Sequence, residues 1–138
     1  MNIYLIGSLR NPRVPLIAQQ LREHGFDVFD DWYASGPEAD TKWKEYEQAR
    51  DHTFIQALQG YAARHVFMYD WAHLTRADVA VLVTPAGKSG HLELGYALGQ
   101  EKRGYILLDE PVDRWDVMYD FAHGVYASLD ELIHAIET

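Results

Sequence analysis

The chain has 138 residues, with 12 Lys and Arg against 21 Asp and Glu, for a formal net charge of −9. That length fits one domain spanning residues 1–138, and a hydrophobic fraction of 48% beside 24% charged residues argues against wholesale disorder. The charge stays negative even with all seven His protonated, which disfavours polymeric nucleic acid as a partner, and the lack of Cys removes disulfides, thiolate nucleophiles and Cys-based metal sites.

The start, Met1 to Gly7, lacks the basic beginning and long apolar middle of a signal peptide. No apolar run approaches the ~20 residues that span a bilayer. A cytoplasmic protein without membrane contact is expected. Ile3–Ile6, stopped by Gly7-Ser8, predicts a buried strand and the turn after it. A helix follows from Asn11-Pro12, with Pro15 in its first turn, Val14, Ile17 and Leu21 on one stripe and Gly25 as its stop. Phe26–Phe29 predicts a second strand, running into Asp30-Asp31-Trp32. Residues 34–44 are polar, carry Gly36 and Pro37, and predict a surface loop. Tyr46 to about His65 predicts a helical stretch with Phe54, Ile55, Leu58 and Tyr61 at core spacing. Trp71–Arg76 predicts a short helix or turn.

Val79–Val83 is apolar throughout and predicts a strand buried on both faces. Thr84–Gly90 predicts a loop, His91 to Gln100 a helix, and Tyr105–Leu108 another buried strand. Asp109–Asp116 predicts a loop. Ser128-Leu129-Asp130-Glu131 fits a capping box for a last helix bearing Leu129, Leu132, Ile133 and Ile136. Strands alternating with helices imply an α/β layer fold with a mostly parallel sheet. Ligands of such sheets lie beyond the carboxyl ends of the strands. That rule singles out Gly7–Arg10, Asp30–Trp32, Thr84–Gly90 and Asp109 onward.

The run from Ala77 to Ala97 carries most chemical information. A buried strand feeds a small-residue loop, and Glu93 falls in the first turn of the expected helix. Free N–H groups and the dipole there would hold its carboxylate ionised at neutral pH, as a nucleophile or general base. Alternatively, Glu93 completes a helix cap at the third position, with Gly90 as N-cap. Gly87-Lys88-Ser89 lacks the upstream glycine of a Walker A loop, and Gly7-Ser8-Leu9-Arg10 does not match a dinucleotide fingerprint. The latter turn offers N–H groups and a guanidinium to a hydroxyl, carboxylate or phosphate, or is a plain turn with a solvated Arg. His91 reads as a surface residue, and Asp78 as turn or strand structure. The other His show no ligand spacing, so no metal site and no cofactor are assigned.

With these residues in view, the chain resembles the nucleoside 2-deoxyribosyltransferase superfamily, which includes deoxynucleoside 5′-monophosphate N-glycosidases. Ile3-Tyr4-Leu5-Ile6-Gly7-Ser8 resembles the first strand of that family. Asp70, eight residues before Asp78, resembles its base-contacting Asp. Glu93-Leu94-Gly95-Tyr96-Ala97-Leu98 resembles its catalytic-Glu segment, and Asp116-Val117-Met118 the segment that reaches the sugar of a neighbouring subunit. The resemblance implies a flavodoxin-like, Rossmann-like sheet flanked by helices. It also implies attack of Glu93 on C1′, Tyr4 orienting Glu93, and Asp70 contacting or protonating the leaving base. Trp32, Trp71 or Tyr69 would stack on that base.

Where the transferases carry a sugar-binding Asp and the nucleotide hydrolases a phosphate-binding Ser, this chain has Gly87, with Ser89 as a possible substitute. Asp116 stands where the transferases have Asn and the hydrolases Ser. The resemblance thus implies a small-molecule partner, nucleoside or nucleotide, with the acidic Asp116 and the unmatched Gly87 favouring a neutral nucleoside and Gly7–Arg10 favouring a phosphate. It further implies a homo-oligomer with shared sites. A non-catalytic nucleotide- or nucleoside-binding sensor is the reading of another class.

Overall fold

A computed structural model describes all residues, Met1–Thr138. Five strands form one sheet: β1 (Asn2–Ile6), β2 (Asp27–Phe29), β3 (Val79–Val83), β4 (Arg103–Leu107) and β5 (Gly124–Tyr126). Their order is β2-β1-β3-β4-β5, and every pairing is parallel. This is the flavodoxin-like order, and the winding changes side between β1 and β3. Six helices accompany the strands: α1 (Val14–Glu23), α2 (Ala39–Ala49), α3 (Phe54–Leu58), α4 (Tyr61–Arg76), α5 (Lys88–Gly99) and α6 (Leu129–Glu137). None is long and apolar enough to cross a membrane.

Side chains alternate across each strand, so the sheet builds two cores from one set of residues. Ile3, Leu5, Val79, Val81, Val83, Tyr105 and Leu107 pack against Val14, Ile17 and Leu21 of α1 and Leu132, Ile133 and Ile136 of α6. Tyr4, Ile6, Ala80, Leu82 and Ile106 face the other way, against Leu74 of α4 and Leu94 and Ala97 of α5. Tyr4 thus places a phenol on the α4/α5 side, directly opposite Phe29 on β2 and Ala80 on β3.

The strands and terminal helices stand close to where the residue pattern puts them, with β5 added. Its three residues, Gly-Val-Tyr, carry too little pattern to announce a strand, and Leu108 N donating to Tyr126 O at 2.8 Å extends the ladder beside it. The middle of the chain differs. Ala39 onward is helix α2 rather than loop, and the expected helix from Tyr46 to about His65 is broken into pieces. Asp51 turns the chain with φ of 60°, Thr53 caps α3 reciprocally with Gln56, and Gly60 starts α4. Phe54, Ile55, Leu58 and Tyr61 are exposed, not core. Their spacing suits a helix face, but no layer of the sheet lies beneath it. Trp71–Arg76 is the end of the 16-residue α4, so Asp70 lies within a helix. At the last helix, Ser128 accepts from Glu131 N at 3.4 Å, which is one half of the expected capping box.

Candidate active site

Helix α5 begins at Lys88 with Gly87 as its N-cap, three residues earlier than expected. Glu93 is therefore in the second turn, and neither the capping role nor the dipole-held ionised state applies to it. Gly90 explains the shift. A Cβ there would stand 2.9 Å from Ile6 Cγ2 and 3.1 Å from Leu82 Cδ1, so its bare Cα lets α5 lie against β1 and β3. That close approach carries Glu93 over the sheet to Tyr4, whose hydroxyl donates to Glu93 Oε2 at 2.5 Å.

Burial dominates the electrostatics of this pair. It raises the Glu93 carboxyl from the usual 4.5 to about 7; the Tyr4 hydrogen bond opposes the shift and the charge of Asp70 adds to it. Asp70, reaching over from α4, is itself pushed up to about 6 by burial. The Tyr4 phenol is driven far above its ordinary value by burial, then by Glu93 and Asp70, and stays protonated as a donor. Two carboxyls, each raised by burial, therefore lie within electrostatic reach of one another beside one fixed O–H donor. Carboxyls raised in this way can exchange protons near neutral pH, as a nucleophile and an acid must.

Neighbouring aromatics brace the trio. Phe29 lies 5.1 Å from the Tyr4 ring, centroid to centroid, and stacks on His73 at 4.0 Å, with Tyr69 against both. Trp71, next to Asp70, donates through Nε1 to the Tyr96 hydroxyl at 3.0 Å, joining α4 to α5 beside the two carboxyls. The Lys102 ammonium, in the turn after α5, holds the C-terminal end of α4 by donating to Thr75 O and Ala77 O at 2.7 and 2.6 Å. Phe29, His73 and Tyr96 carry no signal in the sequence that marks them for this site. Only a continuous α4 flags His73, which lies three residues past Asp70 on the same face.

The remaining expected site residues spread around this centre. Gly7 ends β1, and a Cβ on it would meet Val14 Cγ2 at 2.9 Å. Ser8 accepts from Arg10 N at 3.1 Å, while the Arg10 side chain is exposed and makes no ion pair. Gly87 and Ser89 are exposed at the α5 N-terminus. Asp116 is exposed and caps its own 3-10 turn by accepting from Met118 N at 2.9 Å; Met118 is exposed too. His91 bridges these parts, its Nδ1 donating to Gly87 O at 2.7 Å and its Nε2 lying 3.0 Å from the Tyr119 hydroxyl. Trp32 gives its indole N–H to Leu5 O at 2.8 Å and packs, half-buried, on both cores. Asp78 accepts from Asn2 N at 2.8 Å, the strand-end role expected of it. No three His, Asp or Glu side chains converge as metal ligands.

Neither protein-family models nor curated proteins yield a match to this sequence. Solved structures do. The CMP N-glycosidase of Clostridium botulinum superimposes with a TM-score of 0.59 at 14% identity, over 100% of both chains. The 2-deoxyribosyltransferase of Bacillus psychrosaccharolyticus gives 0.64 at 17% identity, over 96% of this chain and 90% of that one. A conserved protein from Enterococcus faecalis V583 gives 0.65 at 13%, over 99% and 97%. The chain has their fold. At this identity the likeness concerns the path of the backbone, and the chemistry rests on the residues just described.

Proposed function

We propose that this chain is an N-glycosyl transferase or hydrolase of the nucleoside 2-deoxyribosyltransferase superfamily, acting on 2′-deoxynucleosides as one domain over residues 1–138. The observation that carries the reading is the Tyr4–Glu93 hydrogen bond, with Asp70 close enough to raise the pKa of both partners. Tyr4 holds Oε2, leaving Oε1 to attack C1′ of the sugar. As the C1′–O bond forms, the C1′–N bond breaks, its electron pair leaves with the base, and protonated Asp70 supplies the proton. In the second half, an acceptor base or water attacks C1′, gives its proton to Asp70, and releases Glu93. No cofactor enters either step. Gly87 and Ser89, at the α5 N-terminus, and Gly7, Ser8 and Arg10 line the approach to the sugar. Asp116 and Met118 face outward, where a neighbouring subunit could use them.

Arg10, exposed and without an ion pair, favours a second reading in which a nucleoside 5′-monophosphate is hydrolysed by the same Glu93. Asp116 opposes it, since a carboxylate near a phosphate repels it. Chromatography of deoxynucleosides and their monophosphates, incubated with and without an acceptor base, tests both. Base release or exchange that vanishes in Glu93→Ala is expected. Arg10→Ala should spare nucleosides, and Asp116→Ser should improve any use of monophosphates. Binding without turnover of any of these substrates would replace the enzyme with a sensor.

A further inference from the structure

Asp70 and Glu93 approach one another from two helices, and those helices are seated unequally. Helix α5 lies close on the sheet. Gly90 lets it approach Ile6 and Leu82, and Gly104 on β4 does the same further along, where a Cβ would stand 2.7 Å from Leu98 Cδ2 and 3.0 Å from Leu94 Cδ1. Tyr4 then fixes the Glu93 side chain. Helix α4 has one buried residue in sixteen, Leu74, and Lys102 holds only its C-terminal end. A helix with so little of its surface buried is free to shift. No side chain donates to the Asp70 carboxyl, which responds to burial alone. The place of the acid is therefore the place of α4, and the sheet does little to set it.

One hydrogen bond runs directly from α4 to α5, with Trp71 Nε1 donating to the Tyr96 hydroxyl at 3.0 Å. Trp71 follows Asp70 in the chain, and Tyr96 lies three residues past Glu93 on the same side of α5. Tyr96 also packs against the core on that side of the sheet, so the bond fastens the loose helix to the seated one.

We propose that Trp71 and Tyr96 are positioning residues whose hydrogen bond fixes the gap between the Asp70 and Glu93 carboxyls. The proposal rests on the glycosyl chemistry above, in which Glu93 bonds to C1′ while Asp70 gives its proton to the departing base. Both carboxyls must reach the same substrate at once, and an error of about 1 Å in such a placement costs ~100-fold in rate. Trp71 has this duty apart from any stacking on a base, because it acts through its N–H and not through its ring face.

Trp71→Phe keeps an aromatic ring and removes the donor, whereas Tyr96→Phe removes only the accepting oxygen. Either should lower kcat ~10-fold with KM nearly unchanged, because the alignment matters in the transition state more than in binding. The double variant should be no slower than the slower single one, since both changes delete the same bond. Carboxyl 13C NMR of protein labelled at Asp and Glu supplies a readout that needs no substrate. The groups that act on Glu93 are Tyr4 on β1 and Asp70 on α4. Moving Asp70 away by ~2 Å weakens its repulsion, so the Glu93 midpoint should fall from about 7 by about half a pH unit in all three variants.

Unchanged kcat and an unchanged Glu93 midpoint in both single variants, each folded by circular dichroism, overturn the proposal. So does a raised KM in Trp71→Phe with Tyr96→Phe like wild type, which would make Trp71 a platform for the base instead. A Glu93 midpoint that falls in both variants of a chain releasing no base would keep the tie and refute the glycosyl chemistry; base release by wild type with neither variant altered would do the reverse.

Discussion

Replacing Glu93 by Gln keeps the shape of the side chain and a carbonyl oxygen for the Tyr4 hydroxyl, but removes the charge. The wild-type carboxyl goes from 4.5 in the unfolded chain to about 7 in the fold, chiefly through burial. A raised carboxyl costs nothing below 4.5, where both states are protonated. The cost grows as pH rises from 4.5 and is complete above about 7. Each tenfold change in proton affinity is worth about 1.4 kcal/mol, so the full cost, allowing for the solvent that still reaches the carboxylate, is ~2–3 kcal/mol. Glu93→Gln should therefore unfold at nearly the wild-type temperature at a pH of about 4. At a pH of about 8 it should unfold roughly 6–12 °C higher, while releasing no base. Thermal melts of both proteins at intervals across this range measure the difference. A gap that stays constant with pH would show that Glu93 titrates normally and that the fold does not withhold solvent from it.

Two further substitutions probe the same centre. Wild-type kcat/KM should be bell-shaped between limbs at about 6 and about 7, and Tyr4→Phe, which removes the hydrogen bond restraining Glu93, should move the alkaline limb up by about one pH unit while lowering the maximum ~10-fold; an unmoved limb would deny Tyr4 its role. Gly90→Ala should lower stability by less than about 2 kcal/mol, because better helix propensity offsets part of the overpacking, yet reduce kcat/KM ~100-fold as α5 lifts Glu93 away from Tyr4. Equal, small losses in denaturation and activity would mean that Gly90 only fills space.

The legible parts of this chain are those whose pattern serves one neighbour. Val79–Val83 is buried on both faces, and its unbroken apolar run says so; α1 and α6 each cover one face of the sheet and show one stripe. Residues 39–76 depart from their pattern because periodicity reveals a face but not what covers it. Phe54, Ile55, Leu58 and Tyr61 hold core spacing with no sheet under them. Glu93 is singled out by its place after a buried strand, Tyr4 and Asp70 by family resemblance alone, and the geometry of the three does not follow from spacing because it joins a strand and two helices 23 to 89 residues apart. The start of α5 shows the limit most sharply. Gly87 and Gly90 are both acceptable N-caps in isolation, and the choice is made by Ile6 and Leu82, which admit the backbone only where Gly90 meets them.

That choice has chemical weight. Three positions into the helix, a carboxylate would be solvated by free N–H groups, stabilised by the dipole and held ionised at low pKa. Such a group anchors a helix well, but its stabilised charge makes it a weak nucleophile. In the second turn Glu93 loses those donors, keeps one from Tyr4, and is destabilised as an anion by burial and by Asp70. An anion disfavoured in the free site gains most when positive charge develops beside it, as on C1′ while a glycosidic bond breaks. The net acidity of the chain acquires a local meaning here: the negative charge of this pocket is unfavourable at rest and favourable toward a cationic transition state, whereas a substrate bringing its own phosphate would meet it as a further anion. On the mechanism proposed above, the same two carboxyls would favour a neutral nucleoside over a substrate whose phosphate Arg10 leaves unneutralised.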